Sequence, residues 1–234
     1  MITLRTLLFY VGFWLWTLLW GIITLLTAPL PRSVSYRFCA FWGRVAIAWL
    51  RLSCGIRYRV EGREHIPATP VVIVANHQSA WETLAFLNVF PRFAYVLKQE
   101  LFRLPIFGWA LKLSWPIGID RKAGRDAVRQ VLREGEKRIQ AGVSVLVFPE
   151  GTRQPPHELG RFASTGAGLA VKTGVPVLPV AHNAGLCWPR NDWRKYPGTI
   201  EVRIGAPLSS KGKTAVVLND EVHDWIADQL PDMA

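Results

Sequence analysis

Val71-Val72-Ile73-Val74-Ala75-Asn76-His77-Gln78-Ser79-Ala80-Trp81-Glu82 changes character in its middle: five apolar residues run without alternation, and a polar turn carrying a histidine and a glutamate follows. An unbroken apolar run of this length, bounded by turn residues, reads as a strand buried on both faces. A histidine delivered at the end of such a strand is placed to act as a general base. Glu82 has two readings. Ser79 followed three residues later by Glu82, ahead of Leu84-Ala85-Phe86-Leu87, has the spacing of a capping box. Glu82 also reaches His77 as an orienting carboxylate if the histidine stays outside the helix, because residues five apart on a regular helix point about 140° apart. A helix capped at Ser79 permits both.

Outward from this stretch, short apolar runs alternate with longer amphipathic ones. Residues 71–75, 93–97, 116–119, 143–148, 175–180 and 199–204 read as strands, and 80–88, 102–112, 125–141, 166–173 and 215–230 as helices. This pattern predicts an α/β fold with a mostly parallel sheet flanked by helices. Ligands of such sheets gather at the carboxyl ends of the strands. Three polar clusters stand at these ends: Asn76-His77, Asp120-Arg121 and Pro149-Glu150-Gly151-Thr152-Arg153. Any one of them is also what ordinary turn chemistry produces. Together they hold a base, carboxylates and two arginines.

The amino-terminal quarter is different. The first sixty residues hold seven arginines, no lysine and no acidic residue, and residues 6–31 carry no charge at all. Residues 7–26 are long and apolar enough to cross a bilayer as a helix, with Trp14, Trp16 and Trp20 suited to the interface. A single arginine ahead of the apolar stretch and the lack of a clear small-x-small site after it argue against a signal peptide. In the next segment Arg37, Arg44 and Arg51 recur every seven residues and share one helical face. That is the pattern of a helix lying among lipid headgroups; a core helix with a solvated basic edge has the same pattern. A net charge of +11 on a chain of 234 residues that is 50 % hydrophobic favours an anionic membrane surface over nucleic acid as partner. Cys39, Cys54 and Cys187 imply no disulfide framework, and neither they nor the histidines show metal-ligand spacing.

These motifs resemble those of the glycerolipid acyltransferases, the family of lysophospholipid and 1-acyl-sn-glycerol-3-phosphate acyltransferases. Asn76, His77 and Glu82 occupy its Asn-His-x-x-x-x-Asp motif, with glutamate where the family usually has aspartate. Lys98-Gln99-Glu100-Leu101 with Pro105 and Gly108, then Gly118-Ile119-Asp120-Arg121, continue the likeness. Phe148-Pro149-Glu150-Gly151-Thr152-Arg153 matches the third motif without change and Val175-Pro176-Val177-Leu178-Pro179-Val180 the fourth. The resemblance spans residues 57–206.

The resemblance implies the glycerolipid acyltransferase fold over residues 57–234, behind a membrane helix and an interfacial helix over 1–56. It implies transfer of a fatty acyl group from acyl-CoA or acyl carrier protein to the sn-2 hydroxyl of lysophosphatidic acid, giving phosphatidic acid. His77 is then the base and Glu82 the group that orients it, while Arg121, Glu150, Gly151, Thr152 and Arg153 bind the acceptor. No cofactor or metal enters the reaction, and membrane phospholipid is the other partner. The expected location is the inner membrane, with the catalytic domain facing the cytoplasm. Another lysophospholipid or a lyso-aminolipid is the alternative acceptor, and a catalytically weak membrane lipid-binding protein is the alternative function. Two departures from the family pattern bear on these roles. Glu82 adds a methylene to the orienting arm, and Ala163 stands where a lysine is expected, with Arg161 the nearby cation. The apolar stretch 101–115, with Phe102, Phe107, Trp109 and Trp115, reads either as the lining of an acyl-chain groove or as a core helix.

Overall fold

The computed structural model describes residues 1–233, the side chain of Arg121 excepted. Seven strands form one sheet: β1 (Ile56–Glu61), β2 (Val72–Ala75), β3 (Phe93–Lys98), β4 (Ile117–Ile119), β5 (Ser144–Val147), β6 (Val177–His182) and β7 (Gly198–Ile204). Their order is β1-β7-β6-β2-β5-β3-β4. All neighbours pair parallel except β6 with β7. The helices are α1 (Ile2–Leu25), α2 (Arg32–Cys54), α3 (Trp81–Val89), α4 (Phe107–Leu113), α5 (Arg125–Gln140), α6 (Thr165–Thr173) and α7 (Ala215–Gln229).

The unalternating strands are explained by their two-sided burial. Ile73, Leu146, Leu178 and Val180 face one apolar cluster with α2 and α3, while Val72, Val74, Val145 and Val177 face a second with α5, α6 and α7. Successive side chains point to opposite faces, so a strand covered on both sides has no polar positions to spare. The strand at 56–61 is absent from the sequence expectations for the opposite reason. Arg57 and Arg59 are exposed at the sheet edge, which breaks the apolar run.

Residues 1–56 are continuous with this core. Phe9 of α1 and Leu50 of α2 are fully buried in the cluster that holds Ile73 and Leu178. Indole N–H groups close the α1–α2 hairpin: Trp16 donates to the Trp42 carbonyl at 3.2 Å, Trp20 to that of Phe38 at 2.8 Å, and Trp49 to that of Phe9 at 3.2 Å. Trp14, by contrast, is exposed. The outer face of α1 is an apolar stripe of exposed Leu4, Leu8, Val11, Leu15, Leu18 and Ile22, repeating at steps of three and four. Arg37, Arg44 and Arg51 are exposed together on α2, as their spacing requires.

Between helices α4 and α5, Trp115 is held between two guanidinium groups, Arg32 at 4.4 Å and Arg138 at 4.2 Å from the ring. Where β1 ends, Gly62 turns the chain with φ 77°, and a Cβ there would lie 2.0 Å from the Ile204 carbonyl oxygen. That oxygen is already 2.8 Å from Nδ1 of His65. Gly142 has a similar φ of 76° with open space around its Cβ position. Both substitutions to alanine incur the left-handed penalty of about 1–2 kcal/mol, and only Gly62→Ala adds a backbone clash. In detergent-solubilised protein, Gly62→Ala is expected to lower the thermal midpoint further than Gly142→Ala; equal shifts would show that the dihedral angle alone governs both sites.

Candidate active site

β2 lies between β5 and β6, and the three strands run parallel, so the segments leaving their carboxyl ends meet at one edge. Asn76 laces two of them together. Its Nδ2 donates to the His182 carbonyl at 2.9 Å, and its Oδ1 accepts from the His182 amide at 3.0 Å. The His182 ring donates from Nε2 to the Asn76 carbonyl at 2.8 Å and accepts at Nδ1 from the Ala184 amide at 3.2 Å. One nitrogen donating and the other accepting describes a neutral imidazole. Burial holds its pKa below the ordinary histidine value.

His77 follows directly, and its Nδ1 lies 2.6 Å from Oε1 of Glu82. The same Oε1 accepts from the amides of Gln78 at 3.1 Å and Ser79 at 2.9 Å. Glu82 is fully buried. Burial pushes its carboxyl pKa up, but the His182 and His77 rings and the Ser79 amide outweigh that and hold it below the ordinary carboxylate range. An ionised acceptor that takes three donors on one oxygen assigns the proton of His77 to Nδ1 and leaves Nε2 as the basic atom. Capping and orientation therefore coexist: α3 starts at Trp81, whose amide donates to Ser79 Oγ at 3.1 Å, and Glu82 reaches back to the Ser79 amide. The imidazole stacks on Phe148 with ring centroids 4.3 Å apart and an interplanar angle of 18°, which fixes the ring plane.

The loop after β5 is tied to the loop after β2. Glu150 accepts the His77 amide on Oε2 at 2.5 Å and the Gly160 amide on Oε1 at 2.9 Å. The Gln154 amide donates to the His77 carbonyl at 2.7 Å. Both oxygens of Glu150 are thus engaged by backbone, and its pKa is pushed up to about 7 by burial against the pull of those two amides. Gly151 takes φ 67°, and its amide donates to the Phe148 carbonyl at 3.1 Å. Thr152 and Arg153 continue into the wall of a cavity of about 530 Å³, which His77 also borders. The structure thus brings His77, Glu82, Thr152 and Arg153 to one place, with Glu150 and Gly151 shaping the turn between them. The side chain of Arg121 is outside the described residues.

The cavity is apolar in its depth and cationic where His77 opens onto it. Leu101, Phe107, Ala110, Leu111 and Ser114 line it, whereas Phe102, Trp109 and Trp115 do not. Its volume falls within the range of about 300–1,000 Å³ usual for small-molecule pockets. Thr17, Trp20 and Gly21 of α1 and Cys39 and Trp42 of α2 complete the wall. Sequence reading missed this contribution because α1 and α2 read as lipid-facing. Among the described residues, Lys98, Arg153 and Arg190 border the cavity and no acidic side chain does. Arg161 is exposed and does not border it. The bracing role of His182 has no sequence signal beyond its place at the end of an apolar run.

Known proteins share both the sequence and the shape. The family model described as Acyltransferase matches residues 57–183. A 1-acyl-sn-glycerol-3-phosphate acyltransferase of Pseudomonas aeruginosa is 42 % identical over 236 residues, covering 99 % of this chain and 92 % of its own. A 1-acyl-sn-glycerol-3-phosphate acyltransferase alpha of Mus musculus is 35 % identical over 164 residues, covering 68 % of this chain and 58 % of its own. The crystal structure of the 1-acyl-sn-glycerophosphate (LPA) acyltransferase PlsC from Thermotoga maritima superposes with a TM-score of 0.84 at 29 % identity, covering 98 % of this chain and 95 % of that one. A base held at a strand end over an apolar cavity, together with a family model that covers more than half of the residues and a relative similar along almost the whole length, establishes that this chain belongs to the acyltransferase family.

Proposed function

We propose that the protein transfers a fatty acyl group from acyl-CoA or acyl carrier protein to the sn-2 hydroxyl of 1-acylglycerol-3-phosphate, giving phosphatidate. The observation that carries this reading is the His77–Glu82 pair, at 2.6 Å, opening onto a cavity that joins an apolar interior to Arg153. The names of the relatives support the substrate class.

In this reading Nε2 of His77 removes the proton of the sn-2 hydroxyl as its oxygen attacks the thioester carbonyl carbon. The resulting imidazolium is stabilised by the buried Glu82 carboxylate. Collapse of the tetrahedral intermediate breaks the carbon–sulfur bond, and the departing thiolate takes the proton from the imidazolium. The base is regenerated and no acyl-enzyme forms. Arg153 grips the acceptor phosphate through charge-assisted hydrogen bonds, and the apolar part of the cavity receives an acyl chain. Glu150 acts indirectly, by bracing the turn that carries Thr152 and Arg153 against the backbone of His77.

The membrane role follows from the two faces of α1. One face packs on α2 and the sheet, and the other presents the apolar stripe from Leu4 to Ile22. A helix committed along one side to its own domain favours embedding in the bilayer surface over an independent span. Arg37, Arg44 and Arg51 then meet anionic headgroups. We place the protein at the inner membrane, with the cavity supplied by lysolipid from the bilayer and by donor from the cytoplasm.

Three outcomes test the reading. Membranes containing the protein, given lysophosphatidate and labelled acyl-CoA, are expected to form labelled phosphatidate, and His77→Ala to abolish this at unchanged protein level; undiminished product from His77→Ala would sink the mechanism. Glu82→Gln retains the shape but removes the charge that stabilises the imidazolium, so kcat is expected to fall about 10²- to 10⁴-fold with little change in KM. Filling the cavity from α4 with Ala110→Phe is expected to lower kcat/KM for long-chain acyl donors more than for short-chain ones. A uniform loss across chain lengths would remove the acyl chain from that cavity.

A further inference from the structure

Arg190 lies beyond the stretch matched by the family model, on a loop over residues 187–196 between β6 and β7. The loop is firmly built. The Tyr196 amide donates to the Cys187 carbonyl at 2.9 Å and closes it. Lys195, only 1 % exposed, donates from Nζ to the Tyr10 hydroxyl at 2.8 Å and the Trp193 carbonyl at 2.5 Å, with the rings of Tyr10 and Trp188 centred 4.9 and 4.5 Å away. The Lys195 amide donates to Thr6 Oγ1 at 3.0 Å. The loop is therefore fastened to α1, and Arg190 is delivered to the cavity from a fixed base.

At the cavity, Nη1 of Arg190 donates to the Arg153 carbonyl at 2.7 Å. Lys98, Arg153 and Arg190 border the same space as His77, and among the described residues none of the three has an ion-pair partner. Cations that border one cavity, with no acidic side chain in its wall, favour an anion within it. A phosphomonoester carries about −1.5 to −2 charges near neutral pH and three peripheral oxygens. A phosphodiester carries one charge and has one oxygen fewer to offer. Three cations match the first better than the second, and the planar guanidinium of Arg190 has donors left after its bond to the Arg153 carbonyl.

We propose that Arg190 binds the phosphate of the acceptor lysolipid beside Arg153, and that it sets the preference for a phosphomonoester headgroup over a phosphodiester one. The inference rests on lysophosphatidate being the acceptor. A cation at this position also suits the phosphates of the acyl donor, and separate kinetic constants for the two substrates distinguish the sources. Arg190→Gln and Arg190→Lys in the full-length protein, assayed with lysophosphatidate, lysophosphatidylglycerol and acyl-CoA, provide the test. Arg190→Gln is expected to raise the KM for lysophosphatidate about 10- to 100-fold, the loss of one charge-assisted hydrogen-bonding partner, with kcat within about twofold and the KM for acyl-CoA unchanged. Its preference for lysophosphatidate over lysophosphatidylglycerol should narrow, and Arg190→Lys should recover part of the loss. An unchanged acceptor KM, a rise confined to acyl-CoA, or a fall in kcat shared by both acceptors overturns the proposal; the last would make the bond to the Arg153 carbonyl a purely structural one. If the unaltered protein ignores lysophosphatidate, the acceptor reading itself fails, whereas an active parent with an indifferent Arg190→Gln variant refutes this inference alone.

Discussion

The hydrogen bond between His77 and Glu82 is the contact around which the carboxyl edge of the sheet is organised. A carboxylate buried without donors costs several kcal/mol, and Glu82 has no exposure to water. One of its oxygens is therefore surrounded by the His77 ring and the amides of Gln78 and Ser79. Meeting that demand sets the turn between β2 and α3, keeps His77 outside the helix and selects its tautomer. One geometry gives Oε1 of the carboxylate its three donors and the imidazole its orientation. The longer glutamate arm, which departs from the aspartate usual in the family, makes this contact at 2.6 Å.

Around the pair, each neighbour fixes one degree of freedom. Phe148 fixes the plane of the imidazole, Glu150 holds its amide, and Asn76 joins its strand to the end of β6. His182 commits its two nitrogens to opposite roles, donating to the Asn76 carbonyl and accepting from the Ala184 amide, and so pins the end of β6 to the end of β2. Such a network holds its geometry because each buried polar group in it has more to lose by moving than by staying. The imidazole of His77 is thereby held in one orientation.

The amino-terminal hairpin joins an exposed apolar surface to this site. α1 exposes an apolar stripe on one side, while on the other it supplies Thr17, Trp20 and Gly21 to the cavity wall. Near its start, Thr6 and Tyr10 hold the loop that carries Arg190. The helix that exposes this stripe also shapes the space beside His77 and holds the loop of Arg190. Removal of such a helix opens the cavity wall that Thr17, Trp20 and Gly21 form.

The local sequence carried a great deal. Strands β2 to β6 were legible as mostly apolar runs, because burial on two faces leaves few polar positions, and β7 by its buried Ile200, Val202 and Ile204; the polar clusters after β2 and β5 marked the edge where His77 and Arg153 border one cavity. The spacing of His77 and Glu82 allowed both capping and orientation, and the motifs pointed to the family. Other features had no local signature. Arg190 is an ordinary cation in sequence, Lys98 stands in a motif that does not reveal what it faces, and only the pairing of β3 beside β5 and the closed loop after β6 bring them to one cavity with Arg153. Similarly, the apolar residues of α1 read alike whether they face lipid, core or cavity, because hydrophobicity records avoidance of water and not the identity of the neighbour. The chain by itself determined which segments are buried and where a base leaves the sheet. Tertiary packing alone decided which distant cations and which helix faces enclose that base, because those contacts join residues far apart in sequence and carry no periodicity of their own.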